Sequence, residues 1–143
     1  MNDGKPRILL VDDLQENVRV RALLLQQFGC DTALATDYNS TMQRLAEDGA
    51  DLLLIDYHLA AGHTGEEIAR SLRDTHPDLP MIMLTGDAKI PDSAYQCVDE
   101  VLIKGTSNPR DLLDAIQRLL PNAALRPPRP MLITPPPKQA PKP

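Results

Sequence analysis

The sequence is poor in aromatic residues and cysteine, and it has no long apolar run. Aromatic residues make up 3% of its 143 residues and tryptophan is absent, so the core must be aliphatic side chains and methionine. The two cysteines, Cys30 and Cys97, give no disulfide framework and no CxxC motif, which indicates thiols in a reducing compartment. No apolar stretch approaches the length of a membrane span, and no signal segment precedes the first apolar run. We therefore expect a cytoplasmic protein.

Basic charge is also scarce in most of the chain. The net charge is −5, but residues 1–120 carry 11 basic and 20 acidic side chains, whereas residues 121–143 carry four basic side chains and no acidic one. Contacts with phosphates need clustered lysine and arginine. The acidic balance of residues 1–120 therefore disfavours direct binding of nucleic acid.

Five short apolar runs alternate with segments of helical spacing. The runs do not alternate apolar with polar residues, which is typical of strands covered on both faces of a parallel sheet. This order predicts an α/β fold with a doubly wound, five-stranded parallel sheet of flavodoxin-like order 2-1-3-4-5. The runs are ILLV (8–11), TALA (32–35), LLLI (52–55), MIML (81–84) and VLI (101–103).

Helix signals lie between most of these runs. Residues 14–28 and 39–48 have helical spacing and each is followed by glycine. Thr64 to Glu67 has the spacing of a capping box, and Asn108-Pro109 provides an N-cap and a proline at the first helical position. Residues 86–100 contain Pro91 and have poor apolar spacing, which predicts a short or irregular fourth helix.

The end of the chain differs in composition from the rest. The last 23 residues contain nine prolines. Such a stretch buries too little apolar surface to fold. We therefore expect one domain over residues 1–121 and a disordered tail or linker over 122–143, in which a PxxP match carries little weight.

Polar residues follow four of the predicted strands. The first run ends on Asp12-Asp13, the third on Asp56, the fourth on Thr85 and the fifth on Lys104. The carboxyl ends of parallel strands meet at one edge of the sheet, where chemistry collects in such folds. These side chains should therefore converge.

Each of these residues also has an ordinary structural interpretation. Asp13, with Glu16 three positions later, fits a helix N-cap, Thr85 fits a strand-to-turn transition, and Lys104 fits a solvated charge. Asp56 is hardest to explain in this way, because an aspartate that ends a buried strand is costly to desolvate. All of these interpretations would have to hold at the same edge by coincidence.

Three carboxylates at one edge need a counter-charge. A hard divalent ion bound by oxygen atoms supplies one, and Mg²⁺ suits a site with few carboxylates. A lysine and a hydroxyl beside such an ion can hold phosphoryl oxygens, and an aspartate can itself accept the phosphoryl group. On this reasoning Asp56 is the predicted phosphate acceptor.

The motifs ILLVDD, LLLIDYHL, MIMLTGD and VLIKG, at this spacing, resemble the receiver domain of two-component response regulators. The resemblance covers about residues 6–120. It implies that Asp56 is the phosphorylated residue. It also implies that Mg²⁺ is held by Asp12, Asp13, Asp56 and the backbone carbonyl of His58.

The resemblance assigns further roles. It implies that Thr85 hydrogen-bonds the phosphate, that Lys104 pairs with it, and that the donor is a phosphohistidine on a histidine kinase or phosphotransfer protein. His58 and Asp87 flank the route of an attacking water, so we expect them to tune the rate of dephosphorylation. The protein would then be a signalling switch that catalyses only its own phosphorylation and dephosphorylation.

Two positions and one segment length depart from the family pattern. Val101 stands where receivers usually have tyrosine or phenylalanine, Gly105 stands where many have proline, and the span from Thr85 to Lys104 is short. We therefore do not expect the common threonine–aromatic switch or the standard dimer through that face. The downstream protein and homodimer formation stay open.

The sequence leaves two alternatives open and disfavours two others. A phosphorylation-independent interaction module with a receiver fold is one alternative, and a receiver fragment of a larger regulator or hybrid kinase is another. A haloacid-dehalogenase-type phosphatase would carry DxDxT after the first strand, where this chain has Asp12-Asp13-Leu14. A flavin protein would carry a phosphate-binding Ser/Thr/Gly loop there, which is missing.

Overall fold

The computed structural model describes residues 4–13, 15–59, 64–86, 89–105 and 108–127, with backbone only for 15–17. Strands and helices alternate along the chain. The strands are β1 (Arg7–Val11), β2 (Asp31–Ala35), β3 (Leu52–Asp56), β4 (Met81–Thr85) and β5 (Glu100–Ile103). The helices are α1 (Gln15–Gln27), α2 (Tyr38–Glu47), α3 (Gly65–Thr75), α4 (Asp92–Cys97) and α5 (Pro109–Leu119).

The strands form one parallel sheet in the order β2-β1-β3-β4-β5, which confirms the predicted fold and strand order. β1 lies between β2 and β3. From β1 the chain first adds β2 on one side and then adds β3, β4 and β5 on the other side, so the strand order changes direction at β1. The crevice beyond the carboxyl ends of β1 and β3 is the place where such folds build their sites.

Successive side chains of the central strands enter two different cores. This alternation follows from the period of two in a strand and explains why the runs are apolar throughout. One core, under α2, α3 and α4, receives Leu9, Val11, Leu53, Ile55, Met81 and Met83. The other, under α1 and α5, receives Ile8, Leu10, Leu52, Leu54, Ile82 and Leu84.

Side-chain caps fix where three helices begin. The predicted caps at Thr64 and Asn108 are confirmed, each forming a capping box with the residue three positions later. α2 has a third box between Asp37 and Ser40, which the sequence analysis did not identify. Because each of these helices follows a parallel strand, all three caps lie at the carboxyl edge of the sheet.

The fourth helix is short, as predicted. It has six residues and follows Pro91, which makes no side-chain cap. The segment after it is anchored to α3 by Arg73, whose guanidinium donates to the Cys97 carbonyl at 3.1 Å and to the Asp99 carboxylate at 2.7 Å. The entry to β5 is therefore fixed in part by the ion pair of Arg73 with Asp99.

Both cysteines are buried, free thiols. Burial, with a smaller effect of the neighbouring Asp31 charge, raises the pKa of Cys30 to about 11. A thiol that stays protonated in this way is inert at neutral pH. No helix in the described part of the chain is both long and apolar enough to cross a membrane.

Residues 122–127 continue along the domain beyond α5. The Arg126 N–H donates to the Phe28 carbonyl at 2.8 Å, and Leu125 packs against the core under α1 and α5. The Gln117 amide donates to the Ala123 carbonyl at 3.0 Å. The predicted domain boundary at residue 121 is thus followed by a short segment that contacts the domain, and residues 128–143 lie outside the described residues.

Candidate functional site

Two aspartates lie side by side where β1 and β3 end. Val11 pairs with Ile55, which places Asp12 beside Asp56, the last residue of β3. The Asp12 N–H donates to the Ala35 carbonyl at 3.1 Å, so its backbone continues the ladder with β2. Asp12 is 2% exposed and Asp56 is 4% exposed. The predicted convergence of these two carboxylates is therefore present.

Lys104 pairs with the carboxylate of Asp56. The Lys104 Nζ lies 2.6 Å from Asp56 Oδ1, and the lysine side chain is 30% exposed. The Lys104 N–H donates to the Thr85 carbonyl at 2.7 Å, which fixes the lysine at the end of the β4–β5 ladder. Thr85 is the fully buried last residue of β4. Asp56, Thr85 and Lys104 therefore share one edge of the sheet.

The turn after Lys104 explains one departure from the family pattern. Gly105 has φ +85°, a conformation that glycine adopts readily and that the ring of proline excludes. The backbone after the lysine thus leaves the site along a path that a proline at this position does not permit.

Arg21 is a second cation of the site that sequence reasoning missed. Its Nη1 donates to Asp12 Oδ2 at 3.1 Å, and its side chain is 15% exposed. The detectable signal was the three- and four-residue spacing of Val18, Arg21, Leu25 and Phe28, which places an arginine on the inward stripe of α1. Val18, Leu25 and Phe28 are all buried in the core under this helix.

The surroundings of Asp56 oppose its ionisation on balance. Burial is the largest influence and raises the pKa of Asp56. The hydrogen bond and charge of Lys104 lower it, the Asp12 carboxylate raises it, and Arg21 lowers it. The net direction is upward, so Asp56 carries its negative charge at a free-energy cost that two nearby cations only partly offset.

The start of α3 packs directly against the end of β3. The Gly65 N–H donates to the Tyr57 carbonyl at 2.7 Å. A Cβ at Gly65 would collide with the backbone carbonyl of Asp56. Glycine is therefore required by this close approach, a requirement that the cap sequence at Thr64 did not reveal.

Of the three remaining predicted site residues, the structure describes two. Asp13 follows Asp12 and is half-buried, and His58 is exposed with its ring edge-on to Tyr57 at a centroid distance of 4.8 Å. Asp87 lies outside the described residues. The roles assigned to all of the predicted site residues stay predictions.

The donor atoms fit Mg²⁺ rather than a softer ion. The buried carboxylates of Asp12 and Asp56 offer oxygen atoms at adjacent strand ends. Among the residues that the structure describes, no three carboxylate, histidine or cysteine side chains form a metal-holding group. Magnesium commonly uses only one or two protein carboxylates and completes its coordination with water, so a pair of carboxylates is sufficient.

Comparisons with known proteins identify relatives of this chain. The chain is 32% identical over 117 residues to the response regulator receiver protein CpdR of Brucella abortus, covering 80% of this chain and 96% of that protein. It is 35% identical over 88 residues to YkoG of Bacillus subtilis, an uncharacterized transcriptional regulatory protein. That match covers 62% of this chain but only 38% of YkoG.

Solved structures show the same fold. A CheY-like response regulator receiver domain protein from Methanospirillum hungatei superimposes with a TM-score of 0.74 at 26% identity, covering 82% of this chain and 94% of that one. The family model for the response regulator receiver domain matches residues 8–117. The chain therefore belongs to the response regulator receiver domain family of two-component systems.

Proposed function

We propose that this receiver accepts a phosphoryl group on Asp56 from a phosphohistidine of a partner protein. The observation that carries the proposal is the 2.6 Å pair between Lys104 and the buried Asp56 carboxylate, beside Asp12. A carboxylate that is buried at a free-energy cost where a strand ends does little to stabilise the fold. It is a suitable nucleophile when a nearby lysine can balance the negative charge of the phosphorylated product.

The transfer needs little chemistry from the protein. An Asp56 carboxylate oxygen forms a bond to phosphorus as the bond from phosphorus to the histidine nitrogen breaks, and that nitrogen keeps the electron pair. Lys104 then pairs with the phosphoryl oxygens, and the Thr85 hydroxyl donates to one of them. Positioning and charge neutralisation supply most of the catalysis in such transfers.

Receiver domains bind Mg²⁺. In this chain the proposed ligands are Asp12, Asp13, Asp56 and the backbone carbonyl of His58. When bound, the ion neutralises charge on the transferring phosphoryl oxygens. Asp12 lies at the strand end neighbouring Asp56 and Asp13 follows it in the chain, an arrangement of oxygen atoms that suits a bound cation.

Receiver domains interact with histidine kinases or phosphotransfer proteins. For this chain we propose that phosphorylation changes its contacts with a downstream protein in the cytoplasm. Val101 and the six-residue α4 support an output that does not use the threonine–aromatic switch. Sedimentation of the phosphorylated protein tests whether phosphorylation also produces a homodimer.

The acceptor is tested with acetyl phosphate and Mg²⁺ as a small-molecule donor. We expect intact-mass spectrometry to show a gain of one phosphoryl group, which EDTA prevents and which peptide mapping places on Asp56. Asp56→Asn should abolish the gain. Asp78→Asn, at an exposed position after α3, makes the same chemical change away from the site and should leave the gain intact.

A second candidate function is a phosphorylation-independent interaction module, favoured by Val101 and the short α4. In that case the wild-type protein gains no mass, and Mg²⁺ with beryllofluoride changes no amide chemical shifts. This result would also contradict the proposed acceptor role of Asp56. A receiver segment of a larger regulator or hybrid kinase would behave in this assay as the phosphoacceptor does.

A further inference from the structure

Arg21 holds a position on α1 where an apolar side chain is expected. Val18, Leu25 and Phe28, on the same inward stripe, are buried in the core, whereas Arg21 extends its guanidinium to Asp12 Oδ2 at 3.1 Å. Arg21 and Lys104 also line the same groove between α1 and the β5–α5 side of the domain. Both cations therefore reach the carboxylates from one side.

The arginine changes the charge of the site. Lys104 alone would leave a balance of −2 against Asp12, Asp13 and Asp56, and Arg21 reduces it to −1. Arg21 also occupies an oxygen of Asp12, one of the carboxylates proposed to hold Mg²⁺. A divalent ion must therefore compete with a guanidinium that is already hydrogen-bonded in a mostly buried location.

We propose that Arg21 is an internal competitor of the divalent cation, which lowers the Mg²⁺ affinity of the site through its ion pair with Asp12. The inference rests on the proposed metal site. It assigns to this chain a control of its own metal occupancy, and through it of its readiness to accept phosphate. The positive charge of the guanidinium repels a divalent ion at the same carboxylate, so the pair with Arg21 and a bound ion disfavour each other.

The test measures binding of MgCl2 alone, by isothermal titration calorimetry and by amide chemical shifts, at constant ionic strength. Arg21→Gln should bind Mg²⁺ about tenfold more tightly than the wild type, because one unit of nearby positive charge is removed. Arg21→Lys keeps the charge but not the fork of donors and should fall between the two.

Arg19→Gln is the matched control. Arg19 lies on the same helix, is exposed, and lines a separate groove towards α2 that Asp12 also borders, so its charge is near Asp12. It undergoes the same loss of charge, and we expect less than a twofold change in Mg²⁺ affinity. If Arg21→Gln does not fold, Arg21→Met replaces it, because a long apolar side chain suits the inward stripe.

Three results would overturn the inference, and they can be told apart. Equal Mg²⁺ affinity in the wild type and in a folded Arg21 variant rejects the competition but leaves the proposed metal site in place. Absence of Mg²⁺ binding in every variant rejects the competition and the metal site together. A gain in Arg19→Gln as large as that in Arg21→Gln would reduce the effect to net charge and also reject the competition.

Discussion

His58 is the exposed residue nearest to the acceptor in sequence whose side chain can act on water. It lies two positions beyond Asp56, and its ring stands edge-on to Tyr57 at 4.8 Å between centroids. An imidazole can orient a water molecule or take its proton, whereas the neighbouring aliphatic positions cannot. Its position after the acceptor strand places it at the mouth of the site rather than inside it.

We predict that His58→Ala lengthens the lifetime of the phosphorylated protein by about two- to tenfold. The effect is smaller than the roughly hundredfold of a rigidly positioned base because the ring is exposed. The measurement is loss of the phosphoryl mass after acetyl phosphate is removed. His76→Ala, at the other end of α3, is the control. A shorter lifetime in His58→Ala would mean that the ring instead shields the phosphate.

At the scale of single residues, the acidic and lysine positions could be predicted because they follow directly after apolar runs in the sequence. Arg21 was missed because the spacing of α1 was used only to identify apolar positions. The same three- and four-residue spacing also places Arg21 on the inward side, where its partner Asp12 is 3.1 Å away. An arginine on an inward stripe indicates a buried counter-charge, and that counter-charge belonged to the predicted site.

At the scale of helices and strands, the start of α3 packs directly against the end of β3, the strand that carries Asp56. Its cap at Thr64 fixes the direction of the helix, and Gly65 lets the first turn touch the backbone of Asp56. The hydrogen bond from Gly65 to the Tyr57 carbonyl then fixes the backbone just after the acceptor. The position of Asp56 thus depends on a helix that contributes no side chain to the site.

We predict that Gly65→Ala lowers the free energy of unfolding by about 1–3 kcal/mol, as overpacking against a fixed backbone does. Urea denaturation followed by circular dichroism measures this value. Gly86→Ala is the control, because a Cβ there meets nothing within 4 Å. We also expect slower phosphorylation in Gly65→Ala under native conditions, as Asp56 is displaced. Unchanged stability would show that the contact relaxes without cost.

The elements themselves were largely predictable, since each apolar run became a strand and the signals at Thr64 and Asn108 became caps. The strand ends were less so. β3 extends one residue beyond its apolar run to include Asp56, although aspartate is depleted in strands, and β4 likewise includes Thr85, a residue that strands favour. Pairing with neighbouring strands decided the ends, and that pairing is a property of the sheet rather than of the segment.

For the whole molecule, the two cores explain why a chain with so few aromatics folds as one receiver domain. The only phenylalanine, Phe28, is buried where α1 ends, and its carbonyl accepts the Arg126 N–H at 2.8 Å. Leu125 adds an apolar side chain to the same core. A single leucine in a proline-rich, polar context has no periodicity, so sequence reasoning had no signal for this contact.

Truncation at two points tests whether residues 122–127 belong to the folded domain. We predict that a chain ending at Pro121 loses about 1–2 kcal/mol of unfolding free energy, from the partial burial of Leu125 and the hydrogen bond of Arg126. A chain ending at Pro127 should unfold at the same urea concentration as the full-length protein, because it keeps both contacts. Leu125→Ala in the full-length chain should account for part of the loss. Equal stability of the two truncated proteins would show that the domain ends at residue 121. A loss of stability in the chain ending at Pro127 would instead show that residues beyond it also stabilise the domain.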